Sequence, residues 1–373
     1  MVTVNSGLAG VVAFDTEIAE PDRDGGALRY RGVDIRSLAG AVSFADVYGL
    51  LADGTFDAPL PAAVLPPVAV RSGDVRVDVQ AAAAALAPLL GWRPLIDIDD
   101  ATARGDVAGA SAAMLAVVAA SARGEALPPV PERTVAEGKD ATAQFMIRWR
   151  GEPDPRHVAA IDRYWVCAAE HGLNASTFTA RVVASTGADV GACLSAAVAA
   201  LSGPLHGGAP ARALGMVEDV ERSGDARAYV KKVLDSGRRL MGFGHAVYRA
   251  EDPRARILRD TARELGAPRY EVALELEKAA LAELRERKPD RVLETNVEFW
   301  AAIVLDFAEV PVDMLAALFT CARTAGWSAH ILEQKRLAKI IRPSADYVGP
   351  PERRAADLPG WESAIKRHAA SAG

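Results

Sequence analysis

Two histidines stand in glycine-rich segments that would let a ligand come close to the backbone. The first is His206, in Gly203-Pro-Leu-His206-Gly-Gly-Ala-Pro210, and a helical pattern follows it. Glycines on both sides leave room for a ligand, and a histidine just before a helix N-terminus feels the positive end of the helix dipole. That position favours a neutral imidazole that donates a hydrogen bond. The alternative is a turn histidine that only caps the helix, because short motifs often occur by chance.

The second histidine is His245, in Met241-Gly-Phe-Gly-His245-Ala-Val-Tyr-Arg249, with Arg254 shortly after it. Arginine binds a carboxylate or a phosphate through two parallel hydrogen bonds, so this segment suits an anionic ligand. It is not a dinucleotide-binding fingerprint, since no strand pattern precedes it and the third glycine is absent. Taken alone, the segment fits a glycine-rich turn with solvated arginines equally well.

Two charged residues stand in apolar surroundings. Glu298 precedes Phe299 and Trp300, and such surroundings raise the pKa of a carboxylate and strengthen it as a base. The alternative for Glu298 is an exposed glutamate at a helix start. Arg323 falls in the apolar stretch 315–327 and needs an anionic partner, because burying an isolated charge is costly. That partner is a ligand carboxylate or an internal Asp or Glu, and the sequence alone slightly favours the internal pair.

Several other chemistries lack their motifs. His-Glu-x-x-His and paired Cys–His spacings are missing, so we expect no metal site, and His171 taken alone fits an ordinary polar residue at a helix end. The Gly-x-Ser-x-Gly elbow of serine hydrolases is missing too. The cysteines Cys167, Cys193 and Cys321 are scattered and odd in number, which favours buried thiols in a reducing compartment. The net charge of −6 argues against nucleic-acid binding.

The sequence predicts no membrane partner. Residues 1–10 lack the basic region and the long apolar stretch of a secretory signal. The most apolar segments, Val107 to Ala122 and Ala188 to Leu201, are shorter than a bilayer span and are typical of core helices. We therefore expect a cytoplasmic protein.

The elements that must position these residues are mainly helical. A strand-like alternation from Gly10, a turn-rich segment and then Ala27-Leu-Arg-Tyr-Arg-Gly predict a short N-terminal β-hairpin. Ser43, with Asp46 three residues later, predicts a helix start. Proline clusters mark connections between helices, and the strand–helix alternation of a doubly wound fold is missing. The predicted fold class is all-α, with this hairpin as its β structure.

The order of these motifs is more specific than any one of them. Over nearly its whole length the chain resembles the citrate synthase family, which includes the 2-methylcitrate synthases. The shared blocks, in the family's order, are Gly10-Val-Val-Ala, Tyr30-Arg-Gly-Val-Asp34-Ile, Asn174-Ala-Ser-Thr, Gly203-Pro-Leu-His-Gly-Gly, Gly242-Phe-Gly-His, Asp252-Pro-Arg-Ala, Asn296-Val-Glu-Phe, Ala322-Arg-Thr-Ala-Gly-Trp and Arg342-Pro.

The resemblance implies a condensation between an acyl-CoA and an α-keto dicarboxylate, oxaloacetate, with no metal and no cofactor besides the acyl-CoA substrate. His206 would hydrogen-bond the thioester carbonyl and stabilise its enol. Glu298 would remove the α-proton, and His245 would polarise the keto group of the second substrate. Hydrolysis of the condensed thioester would then drive release.

The resemblance also implies the binding residues. Those that would hold the carboxylates of the keto acid are His171, Arg254, Arg323 and Arg342. Those that would contact CoA are Arg249, Gly242, Gly244 and Asn296.

The implied assembly is a homodimer in which Arg342 comes from the neighbouring subunit. Each chain would have a large helical domain, residues 1–210 and 311–373, and a smaller mobile helical domain, residues 211–310. Closure of the small domain would cover the CoA and exclude water.

Two positions depart from the family's usual pattern. Glu298 stands where the family usually has aspartate, and a misplacement of about 1 Å can cost about 100-fold in rate. Ala246 stands where many bacterial relatives carry arginine, which weakens a CoA contact. We expect a working enzyme that is slower than its relatives.

Two alternative functions follow from the same residues. A 2-methylcitrate synthase would use propionyl-CoA, and one methylene in an apolar pocket gives limited discrimination. A weakly active paralogue would bind CoA or a dicarboxylate as a sensor, and Glu298 is the feature that keeps this alternative open.

Overall fold

A computed structural model describes residues 7–8, 10–22, 24–67, 71–203, 206, 209–244 and 247–371, with the backbone alone at 209–211. Within these ranges, helices dominate and confirm the predicted all-α class. The helices are α1 (Phe44–Asp53), α2 (Val75–Leu90), α3 (Asp100–Arg123), α4 (Glu132–Val135), α5 (Ala141–Arg150), α6 (Pro155–Ala168), α7 (Ala175–Ser185), α8 (Val190–Leu201), α9 (Ala209–Ser223), α10 (Ala226–Asp235), α11 (Pro253–Leu265), α12 (Tyr270–Arg287), α13 (Val297–Phe307), α14 (Leu315–Leu337) and α15 (Trp361–Ala370).

The β structure of the described residues is one small antiparallel sheet. Strand β1 (Ala19–Asp22) pairs with β2 (Ala27–Tyr30), which also pairs with the short β3 (Val33–Asp34). The predicted hairpin is therefore present, but its first strand begins at Ala19 and not at Gly10. Residues 11–18 have an alternating sequence without a pairing strand, and Val12 is 84% exposed. An alternating pattern forms a strand only where a partner satisfies its backbone.

Short polar side chains set where the helices begin. Ser43 and Asp46 form the predicted capping box at α1, since each side chain accepts the backbone N–H of the other residue. Asn174, Asp252 and Asn296 cap α7, α11 and α13 in the same way, by accepting a backbone N–H of the first turn. These last three caps lie in the segments that carry candidate site residues.

The core forms around α3 and α14. Trp165, Trp300 and Trp327 are fully buried, and so are the thiols of all three cysteines. Segment 75–97 and helix Asp100–Arg123 are long and apolar enough to cross a membrane by length and composition, with 33% and 67% of their most apolar windows buried. A core helix passes the same test, and α3 packs against α2, α5 and α14.

The chain divides into two compact units. The larger unit, Thr16–Ile341, contains the sheet and helices α1 to α14. The smaller unit consists of residues 1–15 and 342–373 and contains α15. The predicted division into residues 1–210 with 311–373, and 211–310, stays a prediction.

Candidate active site

The glycine segment before His245 is bonded to the start of α13. Gly244 donates its N–H to Glu294 O (2.7 Å), and Asn296 donates its own N–H to Gly242 O (2.9 Å). Asn296 also donates from Nδ2 to Gly244 O (2.8 Å). Gly242 has φ +84°, and a Cβ there would lie 2.6 Å from Phe299 Cβ, so this close approach requires glycine. His245 itself lies outside the described residues, and its role stays a prediction.

Asp252 joins the start of α11 to the start of α13. Its carboxylate accepts two guanidinium bonds from Arg254, Nε to Oδ1 at 2.9 Å and Nη2 to Oδ2 at 2.7 Å. It also accepts the N–H of Val297 at 3.1 Å. Both side chains are buried; burial opposes the charge of Arg254, but Asp252 outweighs it and raises the arginine pKa above its ordinary value. The expected carboxylate-binding arginine thus has an internal carboxylate on one edge.

Glu298 lies in the first turn of α13 and is half-buried. Burial raises the pKa of its carboxyl to about 7, against a smaller lowering by Arg254. The environment therefore agrees with the raised pKa predicted from sequence, and a fully solvated glutamate does not fit. A carboxyl with this pKa is suited to take a proton near neutral pH.

His206 is held by a hydrogen-bond chain that starts in α14. Trp327 donates from Nε1 to Ser176 Oγ (3.2 Å), and Oγ lies 2.9 Å from His206 Nε2. Ser176 also donates to Asn174 Oδ1 (2.8 Å), the N-cap of α7. Burial and then Arg323 lower the His206 pKa to about 4, so the ring is neutral at pH 7. Neutrality was predicted from the dipole of the following helix; burial and Arg323 are the causes found.

Arg323 is buried in the middle of α14. Its Nε and Nη1 have no hydrogen-bond partner among the described residues. The guanidinium lies over the ring of Phe319, 4.9 Å from its centroid, and that ring is 6.0 Å from the ring of His206. Burial lowers the pKa of Arg323, and the nearby Glu170 raises it in part. Open donors on a buried cation next to a neutral histidine suit an anionic ligand.

The remaining predicted residues have different surroundings. His171 is 9% exposed, and its Nε2 lies 3.0 Å from Tyr248 Oη. Arg249 is exposed to solvent. Arg342 is also exposed and belongs to the smaller unit. Its role in substrate binding stays a prediction.

Tyr164 is buried, and burial raises the pKa of its hydroxyl, on which the charges of Arg323, Glu298 and Arg254 also act. Sequence reasoning assigned no role to Tyr164, Tyr248 or Ser176. Ser176 stood within the Asn174-Ala-Ser-Thr block, two residues after a cap, and that spacing was the available signal.

Together these features define a class of protein: a helical enzyme scaffold with a neutral histidine, a carboxyl of raised pKa and a buried arginine with open donors. Such a site suits proton removal beside a carbonyl in the presence of an anionic co-substrate. Among the described residues, no cluster of three His, Cys, Asp or Glu side chains could hold a metal ion.

The family model for the citrate synthase C-terminal domain matches residues 7–344, and the chain belongs to the citrate synthase family. It is 66% identical over 360 residues, covering 96% of each chain, to a Mycobacterium tuberculosis protein that carries the provisional name citrate synthase 2. It is 39% identical to 2-methylcitrate synthase from Shewanella oneidensis over 214 residues, 57% of this chain and 56% of the relative.

The fold is similar to that of a solved citrate synthase. The Thermoplasma acidophilum enzyme, in its ternary complex with carboxymethyl coenzyme A and oxaloacetate, matches with a TM-score of 0.81 at 26% identity. The match covers 94% of this chain and 98% of that enzyme.

Proposed function

We propose that the protein condenses acetyl-CoA with oxaloacetate to citryl-CoA and hydrolyses this intermediate to citrate and CoA. The observation that carries the proposal is the opposite shift of the pKa values of two candidate catalytic residues, His206 to about 4 and Glu298 to about 7. Acid and base roles usually belong to two titratable groups whose environments shift their pKa values in opposite directions. Family membership and the ligands of the Thermoplasma complex support the choice of substrates.

In the proposed reaction, Glu298 takes a proton from the acetyl carbon next to the thioester. Neutral His206 donates a hydrogen bond from Nδ1 to the thioester oxygen, where negative charge develops as the enol forms. For this tautomer the Ser176 hydroxyl turns its proton from Asn174 Oδ1 to His206 Nε2. The enol carbon then attacks the keto carbon of oxaloacetate, a new C–C bond forms, and the keto oxygen gains a proton, a step assigned to His245. Water finally cleaves the thioester, which releases CoA and leaves a carboxylate.

The keto acid is proposed to bind through Arg323, with His171, Arg254 and Arg342. Arg323 supports this assignment most directly, because it is a buried cation whose Nε and Nη1 lack hydrogen-bond partners within the described part of the chain. Arg254 already binds Asp252 through Nε and Nη2. Arg249, Gly242, Gly244 and Asn296 are proposed to contact CoA.

CoA release tests the proposal. The purified protein is mixed with oxaloacetate and either acetyl-CoA or propionyl-CoA, and free thiol is measured over time. Faster release from acetyl-CoA is expected. No release from either substrate, with tight oxaloacetate binding by calorimetry, would contradict the enzyme assignment and favour a sensor.

The second candidate is 2-methylcitrate synthesis from propionyl-CoA. The 39% identity to the Shewanella 2-methylcitrate synthase favours keeping it. Because a single methylene changes binding in an apolar pocket by only about 1–3 kcal/mol, both substrates are expected to react at some rate. Faster release from propionyl-CoA would replace the first assignment with this one.

We further propose a cytoplasmic homodimer in which Arg342 completes the partner's site. The smaller unit carries exposed apolar side chains, including Tyr347 at 77% and Val348 at 90%, which suits a surface that another chain covers. Mixing two inactive variants, R342A and H206A, tests this, since mixed dimers would contain one intact site. Regained CoA release is expected; none after subunit exchange would show that Arg342 acts within its own chain or not at all.

A further inference from the structure

Two buried residues of opposite charge near the candidate site have charged side-chain atoms without hydrogen-bond partners in the described part of the chain. Glu170 is fully buried, and neither of its carboxylate oxygens has a hydrogen-bond partner among the described residues. The same holds for Nε and Nη1 of Arg323, which is 3% exposed. A buried charge without compensation is strongly unfavourable, so each of these groups needs a nearby opposite charge.

Helix α14 brings the two charges together. Arg323, Gly326 and His330 are spaced by three and four residues and share one helix face. Gly326 donates its N–H to Ala169 O (3.2 Å), and a Cβ at Gly326 would overlap the Glu170 carboxylate. Glu170 therefore lies directly against α14, one turn from Arg323. Its charge raises the pKa of Arg323 against the larger lowering by burial.

His330 and Arg181 hold the other side of Glu170. His330 Nε2 lies 3.4 Å from Glu170 Oε1, and Arg181 Nη1 lies 3.0 Å from His330 Nδ1. Because a guanidinium only donates, Nδ1 accepts, and the ring proton on Nε2 faces Glu170. The backbone is anchored as well, since Glu170 donates its N–H to Tyr30 Oη (3.2 Å). The carboxylate therefore lies against α14 at Gly326, with His330 on its C-terminal side and Arg323 one turn earlier in the helix.

We propose that Glu170 is the internal counter-ion of Arg323, a positioning residue that holds this guanidinium in place before an anion arrives and that competes with a carboxylate of the bound keto acid. The identity of the anion rests on the proposed function, whereas the pairing of Glu170 with Arg323 does not. Two carboxylates near one guanidinium repel each other. Glu170 therefore stabilises the ligand-free protein and weakens dicarboxylate binding.

The variant E170Q tests both effects, with E333Q as the matched control. Glu333 accepts a hydrogen bond from Arg181 at the outer end of the same network. It lies about one turn after His330 in α14. In E170Q we expect a lower Tm without ligand and a Kd for oxaloacetate that falls on the order of tenfold. In E333Q we expect an unchanged Kd. A purely structural role would lower Tm and weaken binding together, and that result, or an unchanged Tm, would overturn the proposal.

A stability cycle separates this pairing from the proposed function. Urea unfolding without ligand is compared for the wild type, E170Q, R323M and the double variant. E170Q is expected to destabilise the wild type but to stabilise R323M, in which Glu170 has lost its cation. Equal effects in both backgrounds would overturn the pairing. If E170Q does not fold, the comparison of R323M with the double variant still tests the pairing. A wild type that binds no oxaloacetate contradicts only the proposed function.

Discussion

At the scale of single residues, the site sets the protonation of His206 and Glu298 through burial. A histidine with a pKa of about 4 stays neutral through the physiological range, whereas a carboxyl with a pKa of about 7 is partly ionised there. A neutral imidazole keeps one N–H donor and one acceptor nitrogen. The ionised fraction of Glu298 then determines how much of the protein can act as a base.

The pH dependence of kcat/KM follows from Glu298. A base must be ionised to accept a proton, so kcat/KM should rise about tenfold per pH unit below pH 7 and level off above it. His206 adds no change above about pH 5, since its pKa is about 4. Initial rates of CoA release between pH 5.5 and 9, at low acyl-CoA, measure this profile.

The variant E298Q is the control for that profile. It retains the shape of the side chain but cannot accept the proton, so kcat/KM should drop by about 100-fold or more. The rise of kcat/KM with pH below pH 7 should also disappear. If kcat/KM of E298Q still rises with pH up to about pH 7, another group is responsible for the pH dependence.

Sequence reasoning at this scale succeeded where the cause was local. The apolar neighbours of Glu298 predicted its raised pKa, and the glycines around His206 marked a turn before α9. It did not reveal the actual causes at His206, because Arg323 is more than 100 residues away in the chain and only folding brings it close. The pairing of Arg254 with Asp252, two residues earlier, was not predicted, because the alternative for this segment was a turn with solvated arginines.

At the scale of elements, hydrogen bonds at helix starts align the site. Asp252 caps α11 and accepts a bond from the first residue of α13, while Asn296 caps α13 and binds the carbonyl of Gly244. The segment before His245 and the turn that carries Glu298 are therefore fixed to each other. A change in either cap moves both.

Replacing Gly242 by alanine should be more costly than an equivalent change at Gly266. Both glycines have positive φ, +84° and +73°, but only Gly242 faces a close neighbour, Phe299. The backbone term alone costs about 1–2 kcal/mol in G266A, and steric overlap adds roughly 1–3 kcal/mol in G242A. Urea unfolding of the two variants measures the difference; equal losses would contradict tight packing of Gly242 on α13.

Asp162 predicts a pH-dependent stability change between α1, α5 and α6. Its Oδ1 accepts bonds from Phe44 N (3.0 Å) and Thr142 Oγ1 (2.6 Å), and burial raises its pKa to about 6. A raised folded-state pKa favours the neutral carboxyl, so this stabilisation is present below about pH 4 and is lost as the pH rises through about 6.

The variant D162N keeps an oxygen acceptor and carries no charge. It should match the wild type near pH 4 and exceed it at pH 8 by on the order of 1–3 kcal/mol. Thermal unfolding at both pH values measures this, and all other titrating groups are shared by the two proteins. A variant that is less stable at pH 8 would show that the Asp162 charge is stabilising.

Capping residues and proline clusters made the helices predictable from the sequence. The apolar repeat in residues 271–288, which Pro289 ends, predicts a helix, and the structure has α12 at Tyr270–Arg287. The pattern of residues 313–339 predicts another helix, which begins as α14 at Leu315 after a short 3₁₀ turn. The first strand was placed wrongly, because an alternating pattern does not show whether a partner strand exists. The approach of Glu170 to Gly326 joins residues of distant segments and has no local signal.

At the scale of the whole molecule, the order of the motif blocks was the strongest information in the sequence. It led to the family that the comparisons show, and the all-α class followed from it and from the helical patterns. Domain closure involves more than one arrangement of the same chain, and a dimer involves more than one chain. A single sequence and a single chain therefore leave them as predictions.

We propose that His206 and Glu298 act together to make citrate. The most direct measurement is mass spectrometry of the products formed from ¹³C₂-acetyl-CoA and oxaloacetate by the wild type, H206A and E298Q. We expect doubly labelled citrate and equimolar CoA from the wild type, and at least about 100-fold less from each variant with its helical content unchanged. CoA release without labelled citrate, or near-normal citrate from H206A, would contradict it.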